Sequence, residues 1–124
     1  MIVVTNSGPL IALAKLGILH LLEPLYGQVF VPGAVYREVV ERGEQAGFSD
    51  VLQIRLAFQR NQLIGMEAKK TIPEVSGLPL HLGEKEAISL ALENKADLLL
   101  LDDMLAWTEA KNLGLCVNSP FAHF

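Results

Sequence analysis

Short β-branched or leucine-rich runs alternate along this chain with longer stretches of helical periodicity. Residues 2–5, Ile-Val-Val-Thr, read as a buried strand. The strand ends at Asn6-Ser7-Gly8-Pro9, a turn and helix-start cluster with proline near the first helical position. Residues 9–16 then read as a helix stopped by Gly17, and residues 18–25 as a second short helix. Residues 28–31 form a second strand closed by Pro32, followed by a helix over residues 33–41. The pattern weakens between Gly43 and Leu82. There, residues 50–60 have helical character, residues 62–66 suit a short strand, and residues 73–79, bounded by prolines, read as loop. Beyond it the pattern is clear again: helix over 83–94, strand over 97–101, helix over 103–112 and a last strand over 115–117.

Strands that alternate with helices argue for an α/β fold with a parallel sheet covered on both faces. The all-leucine run at 98–101 fits a central strand buried on both sides. With 124 residues the chain reads as a single domain, 1–124, with no internal repeat, linker or low-complexity tract. Hydrophobic residues make up 51% of it, which excludes disorder, and charged residues only 19%, which suggests that some apolar surface is covered by a partner or a second copy.

The net charge of −4 excludes a nucleic-acid binder that works by bulk electrostatics. Any contact with RNA must come from local basic groups or a bound cation; Lys69-Lys70, Arg55 and Arg60 are candidates that ordinary surface charge explains better. Cys116 lies in an apolar run and reads as a buried, inert thiol. The start of the chain lacks the basic and long apolar regions of a signal peptide, and no apolar run approaches the ~20 residues that span a bilayer. The expectation is a cytoplasmic protein with no membrane partner. No phosphate-binding glycine loop, dinucleotide fingerprint, CxxC or HExxH motif occurs. His20, His81 and His123 show no ligand spacing, so zinc is not expected. Trp107 reads as core.

The acids carry the chemistry. In an open parallel sheet, ligands bind outside the carboxyl ends of the strands. Asn6 follows the first strand, and Asp102 and Asp103 follow the leucine strand, so the three converge if both strands are central. Clustered carboxylates there suit a hard divalent cation. Asp103 reads equally as the cap of the next helix. On the helix over 83–94, Ala87, Ile88, Leu90, Ala91 and Leu92 form the apolar arc, and Lys85, Glu86, Ser89 and Glu93 the polar face. Glu84 points to the middle of the apolar arc, where a carboxylate needs a partner, a cation or a proton; its other reading is a first-turn acid favouring the helix dipole. Periodicity places Glu38 with Arg37 and Glu41 on a solvated face, opposite Val35, Tyr36, Val39 and Val40.

Taken in order, the motifs are an apolar strand, a turn and Pro-Leu-Ile-Ala-Leu; a strand, Pro32, Val35 and Glu38; Leu82-Gly83-Glu84-Lys85-Glu86-Ala87-Ile88; and Ala96-Asp97-Leu98 through Leu101-Asp102-Asp103. This arrangement resembles the PIN-domain family, in a prokaryotic branch related to the toxin ribonucleases of toxin–antitoxin systems. The resemblance covers nearly the whole chain. It implies a PIN-like three-layer α/β/α fold with a central, mainly parallel sheet. The activity it implies is that of a metal-dependent endoribonuclease, using Mg²⁺ or Mn²⁺ to hydrolyse RNA. By position, the family's acids fall at Asn6, Glu38, Glu84 and Asp102, with Asp103 beside the last. Glu38, Glu84 and Asp102 are then the catalytic acids and metal ligands, with Asp103 and Asn6 as further ligands. Ser7 and Thr5, beside the first acid position, fall on the substrate side. An antitoxin-like protein and a second copy of the chain, as a homodimer, are the implied partners.

Two departures stand out. The first acid is an amide, which can ligate a metal but brings no charge and takes no proton. The chain also stops soon after its last strand, where relatives commonly continue. The amide keeps open a second reading, a catalytically impaired PIN-like module that binds RNA or a protein. A phosphatase of the haloacid dehalogenase class needs an Asp-x-Asp nucleophile after its first strand, and Thr5-Asn6-Ser7-Gly8 supplies none; a response-regulator receiver fails similarly, lacking its phospho-accepting aspartate.

Overall fold

The computed structural model describes residues 1–42, 50–69 and 72–118. The expectations for residues 43–49, for Lys70 and for residues 119–124, including His123, lie outside these. Five strands, β1 (Val3–Thr5), β2 (Val29–Pro32), β3 (Leu63–Met66), β4 (Leu98–Leu100) and β5 (Val117–Asn118), form one sheet in the order β3-β2-β1-β4-β5. Every pairing is parallel, and the central register sets Val3, Val4 and Thr5 beside Leu98, Leu99 and Leu100.

Parallel strands need crossovers, and here they are helical. α1 (Ser7–Lys15) and α2 (Leu22–Tyr26), the latter entered through a 3₁₀ turn at Leu19–Leu21, join β1 to β2. α3 (Gly33–Tyr36), its π-helical continuation Arg37–Arg42 and α4 (Asp50–Gln59) lie between β2 and β3. α5 (Pro73–Ser76) and α6 (Leu82–Glu93) return the chain to β4, and α7 (Met104–Asn112) leads to β5.

Period-2 alternation divides the sheet's side chains between two cores. Val3, Val29, Val31, Leu63 and Leu100 face Leu10, Leu13, Val35 and Ile54, so α1 to α4 cover one face. Val4, Leu99 and Leu101 face Val75, Ala87, Ile88, Leu90, Ala91 and Ala106, so α5 to α7 cover the other. This is the three-layer α/β/α arrangement. Leu99, Leu100 and Leu101 are fully buried, which is why the run carries no polar alternation.

The same topology locates a crevice. From β1 the chain winds outward through β2 to β3 with its helices on one face. It then crosses to β4 and continues to β5 with helices on the other. The strand order therefore reverses between β1 and β4, and the segments leaving their carboxyl ends part to either side.

Several local expectations change. The proline-bounded stretch expected as loop contains α5, with Pro73 in its first turn where a missing N–H costs nothing. Helix α3 widens to π geometry at Arg37, and Val39 and Val40 beyond it are buried as the apolar arc expects. Tyr36, expected in the apolar arc, is 39% exposed and makes an edge contact with Phe58 at 4.9 Å. Cys116 is exposed, because it leads into the two-residue edge strand β5 and not into a covered one. Trp107 is half-buried against the second core. Among the described residues no single helix is long and apolar enough to cross a membrane.

Ser89 was placed on the polar face of α6 but is fully buried, and its Oγ has no hydrogen-bond partner. Helix α6 packs across β1, β2 and β4 and against α3 and α5, so it is covered over more than one arc. A buried hydroxyl left unpaired costs about 1–3 kcal/mol, and alanine is the better helix former. Ser89→Ala is expected to raise the unfolding free energy by about 1 kcal/mol, read from the midpoint of urea denaturation at unchanged slope.

Candidate functional site

Asn6 occupies the N-cap position of α1 with extended backbone angles, φ −89° and ψ 177°. An asparagine there ordinarily accepts from the N–H of the second or third helical residue. The third is Pro9, which has none, and the side chain makes no capping bond at all. The Asn6 side chain therefore does not cap α1. Its backbone N–H bonds Leu100 O at 3.2 Å, tying β1 to β4 at their carboxyl ends. Its Oδ1 is left buried and unpartnered in a side chain only 5% exposed.

A cavity of about 180 Å³ opens at this point, lined by Asn6, Ser7, Gly8, Glu38, His81, Gly83, Glu84 and Asp102. It lies where the strand order reverses. Asn6 and Asp102 reach it from the ends of β1 and β4, Glu38 from the π-helical continuation of α3, and Glu84 from the first turn of α6. Two glycines allow the approach. A Cβ on Gly8 would overlap the Asp102 carboxylate. A Cβ on Gly83 would sit 3.3 Å from Glu38 Oε2 and 3.5 Å from Asn6 Oδ1, so those two oxygens converge on α6 where it has no side chain.

Glu84 is 7% exposed, and its Oε1 accepts the His81 N–H at 3.1 Å. Burial holds its carboxyl above the usual carboxylate range; the bond from His81 opposes that rise, and the charges of Asp103 and Asp102 add to it. Glu86, expected on a solvated face, is half-buried and accepts the Ala34 N–H at 3.0 Å. It caps α3 from another helix and so fixes the segment that carries Glu38.

Over residues 2–118, the chain matches the family model described as DUF3368, a PIN domain. The chain belongs to the PIN-domain family. No curated protein matches it. Among solved structures, a PilT N-terminus domain protein from the archaeon Sulfolobus solfataricus P2 is similar at 21% identity, with a TM-score of 0.60 over 97% of this chain and 87% of that one. A domain of a functionally unknown protein from Methanocaldococcus jannaschii DSM 2661 is similar at 14% identity, with a TM-score of 0.63 over 94% and 89%. These likenesses concern the fold.

Within this PIN domain, Asn6, Glu38, Glu84, Asp102 and Ser7 share one cavity, and two further expected residues, Asp103 and Thr5, are not in its lining, although the charge of Asp103 still acts on Glu84. Asp103 does not line it; its Oδ2 accepts the Ala106 N–H at 2.9 Å and caps α7. Thr5 is fully buried and donates its hydroxyl to Asn6 O at 3.1 Å, so it orders the strand end and is out of a substrate's reach. His81, Gly8 and Gly83 were missed. His81 was legible as the residue before the helix that presents Glu84.

A divalent cation is the group this family implies. Amide and carboxylate oxygens are the right donors for it, and the orphaned Asn6 Oδ1 is an acceptor with nothing to accept from. Among the described residues, however, no three acidic, imidazole or thiol groups stand close enough to ligate one ion together. An ion held here would therefore keep water in its remaining positions.

The raised carboxyl of Glu84 has a signed consequence for stability. The folded state holds this proton more tightly than the unfolded chain does. The cost of the buried charge is therefore fully present above the folded-state value, is relieved as pH falls through it, and is gone below the ordinary carboxylate value. Glu84→Gln keeps an acceptor for His81 and removes the charge. In metal-free buffer it is expected to be more stable than wild type at neutral pH, with the gap closing as pH falls into the carboxylate range, as thermal melts in chelator would show.

Proposed function

We propose that this PIN domain is a divalent-metal-dependent ribonuclease, hydrolysing RNA phosphodiesters with Mg²⁺ or Mn²⁺, and that its amide at the first acid position weakens it. The observation that carries the reading is the buried, unpartnered Asn6 Oδ1 in a cavity shared with Glu38, Glu84 and Asp102. Asn6, Glu38, Glu84 and Asp102 would hold the ion, some through water. When bound, such an ion supplies Lewis-acid polarisation of a phosphoryl oxygen and activation of water. Gly8 keeps Asp102 close to α1, Glu86 holds the Glu38 segment, and Ser7, 8% exposed at the cavity wall, is placed to touch the substrate phosphate.

A second reading, a non-catalytic module that binds RNA or an antitoxin-like protein, is favoured by the same amide. Three carboxylates beside a neutral acceptor bind a cation less tightly than four. Asn6→Asp is nearly isosteric and separates the readings. Two unit charges ~4 Å apart interact by ~4 kcal/mol at an effective dielectric near 20, and desolvation and repulsion among the acids leave about 1–2 kcal/mol of that, or ~10-fold in metal affinity. Asn6→Asp is expected to tighten Mn²⁺ binding by about tenfold in calorimetry and to raise cleavage of unstructured RNA. Glu84→Gln in the Asn6→Asp background should abolish both. Equal, metal-independent cleavage in all three proteins would sink the proposal, as would a folded Asn6→Asp protein with no gain in Mn²⁺ affinity.

The assembly we propose is a homodimer. Leu16 and Leu52, on α1 and α4 of one layer, are 61% and 63% exposed, more apolar surface than a chain with so few charges needs to show to water. Light scattering is expected to give twice the 13.5 kDa chain mass; a monomer mass across a wide concentration range would overturn this.

A further inference from the structure

A second, larger cavity of about 470 Å³ adjoins the acidic one and shares Glu38, His81 and Gly83 with it. Its remaining lining is Ala34, Arg37, Glu41 and Leu82. The two cavities meet at the N-terminus of α6, a twelve-residue helix whose first turn contributes Leu82 and Gly83 to the wall. The N–H groups there have no intrahelical acceptor and carry the positive end of the helix dipole. Gly83 offers backbone without a side chain to cover it. Arg37 and His81 add the side-chain donors. The Arg37 side chain is 52% exposed, and its ion pair with Glu67 is a single long contact of 3.6 Å. A guanidinium has five donors in a rigid fork, so most of its donor capacity lies outside that contact. His81 is exposed, with its backbone N–H already fixed by Glu84.

The acidic cavity alone attracts cations. The adjoining one places an arginine, an imidazole and a helix N-terminus beside it, donors of the kind a phosphate accepts from. We propose that this groove receives a second phosphate of the RNA strand, the one flanking the phosphate that sits at the acidic cavity, with Arg37, His81 and the α6 N-terminus as its ligands. The proposal rests on the ribonuclease reading and adds to it a demand on the substrate: two neighbouring phosphates, and so an oligonucleotide instead of a mononucleotide. Glu38 and Glu41 also line the groove and oppose an anion there. A cation that neutralises Glu38 removes part of that opposition, so strand and cation should each tighten the other's binding.

The test is binding, not cleavage. A short fluorescein-labelled single-stranded RNA is titrated against the full chain in chelator and again in Ca²⁺, with fluorescence anisotropy as the readout. Arg37→Gln and His81→Gln are each expected to weaken binding about tenfold or more, the usual loss for one charge-assisted hydrogen bond. Glu41→Gln, which removes an opposing charge from the same groove, should tighten it. Lys111→Gln, at the far end of α7, makes the same charge change as Arg37→Gln and should do little. Amide resonances of Leu82 and Gly83 should shift on titration with the RNA. Equal weakening by Lys111→Gln and Arg37→Gln would overturn the proposal, because bulk charge would then account for the effect. So would a Glu41→Gln protein that binds no better, or unmoved Leu82 and Gly83 amides. Glu84→Gln distinguishes the two readings. If Ca²⁺ strengthens RNA binding equally with and without Glu84, the cation reading falls, while the Arg37 and His81 effects still judge the groove.

Discussion

The parallel pairing of β1 with β4 governs the rest of the molecule. These strands are far apart in sequence, and their register sets Thr5 beside Leu100. That single alignment decides that Asn6 and Asp102 leave the sheet at the same edge. It also puts the reversal of strand order between them, so the two following helices diverge and leave a gap. Three fully buried leucines, Leu99, Leu100 and Leu101, hold the strand in place from both faces. The chemistry at the edge thus depends on a dry, two-sided core beneath it.

Around that gap the chain repeatedly leaves polar groups where hydrophobic packing alone would not. Asn6 keeps an unpartnered oxygen: Pro9 has no N–H to offer it, and the side chain does not take the one on Gly8 either. Glu84 keeps a carboxylate in a nearly closed position. Gly8 and Gly83 keep the backbone bare where a methyl group would collide with or crowd the acids. Each feature lowers stability locally, and all of them face one volume. That concentration is what the proposed site rests on, and it sets these groups apart from an isolated packing fault such as the Ser89 hydroxyl.

Much of this was legible in the chain itself. The leucine strand, the turn after β1 and the inward face of Glu84 follow from periodicity, because each concerns contact with the sheet. Glu38 was not legible that way. Periodicity reports which face of a helix meets the sheet, whereas Glu38 enters the cavity from a flank that faces α6, and only the order of motifs drew attention to it. Tyr36 was misread for a different reason: its ring makes an edge contact with Phe58 of α4 and stays partly exposed, and the angular rule does not tell a contact with a helix from burial against the sheet. Glu86 and Ser89 were misread because α6 touches helices as well as strands, so its polar face is not a solvent face. Cys116 was misread because an apolar run says nothing about whether its strand lies at the centre or the edge.

The bond from Ala34 to Glu86 has a consequence for motion. The helical run from Gly33 to Arg42 is short and changes pitch, and so short a run does not sustain itself. Its order is borrowed in part from α6, through this bond, and in part from the first core, where Val35 packs. Amide hydrogen exchange across residues 33–42 should then report local openings of the α3–α6 contact, not the helix's own fraying. Each such opening would carry Glu38 out of the cavity while the sheet beneath it stays intact. The cleft would lose one wall and keep the other two.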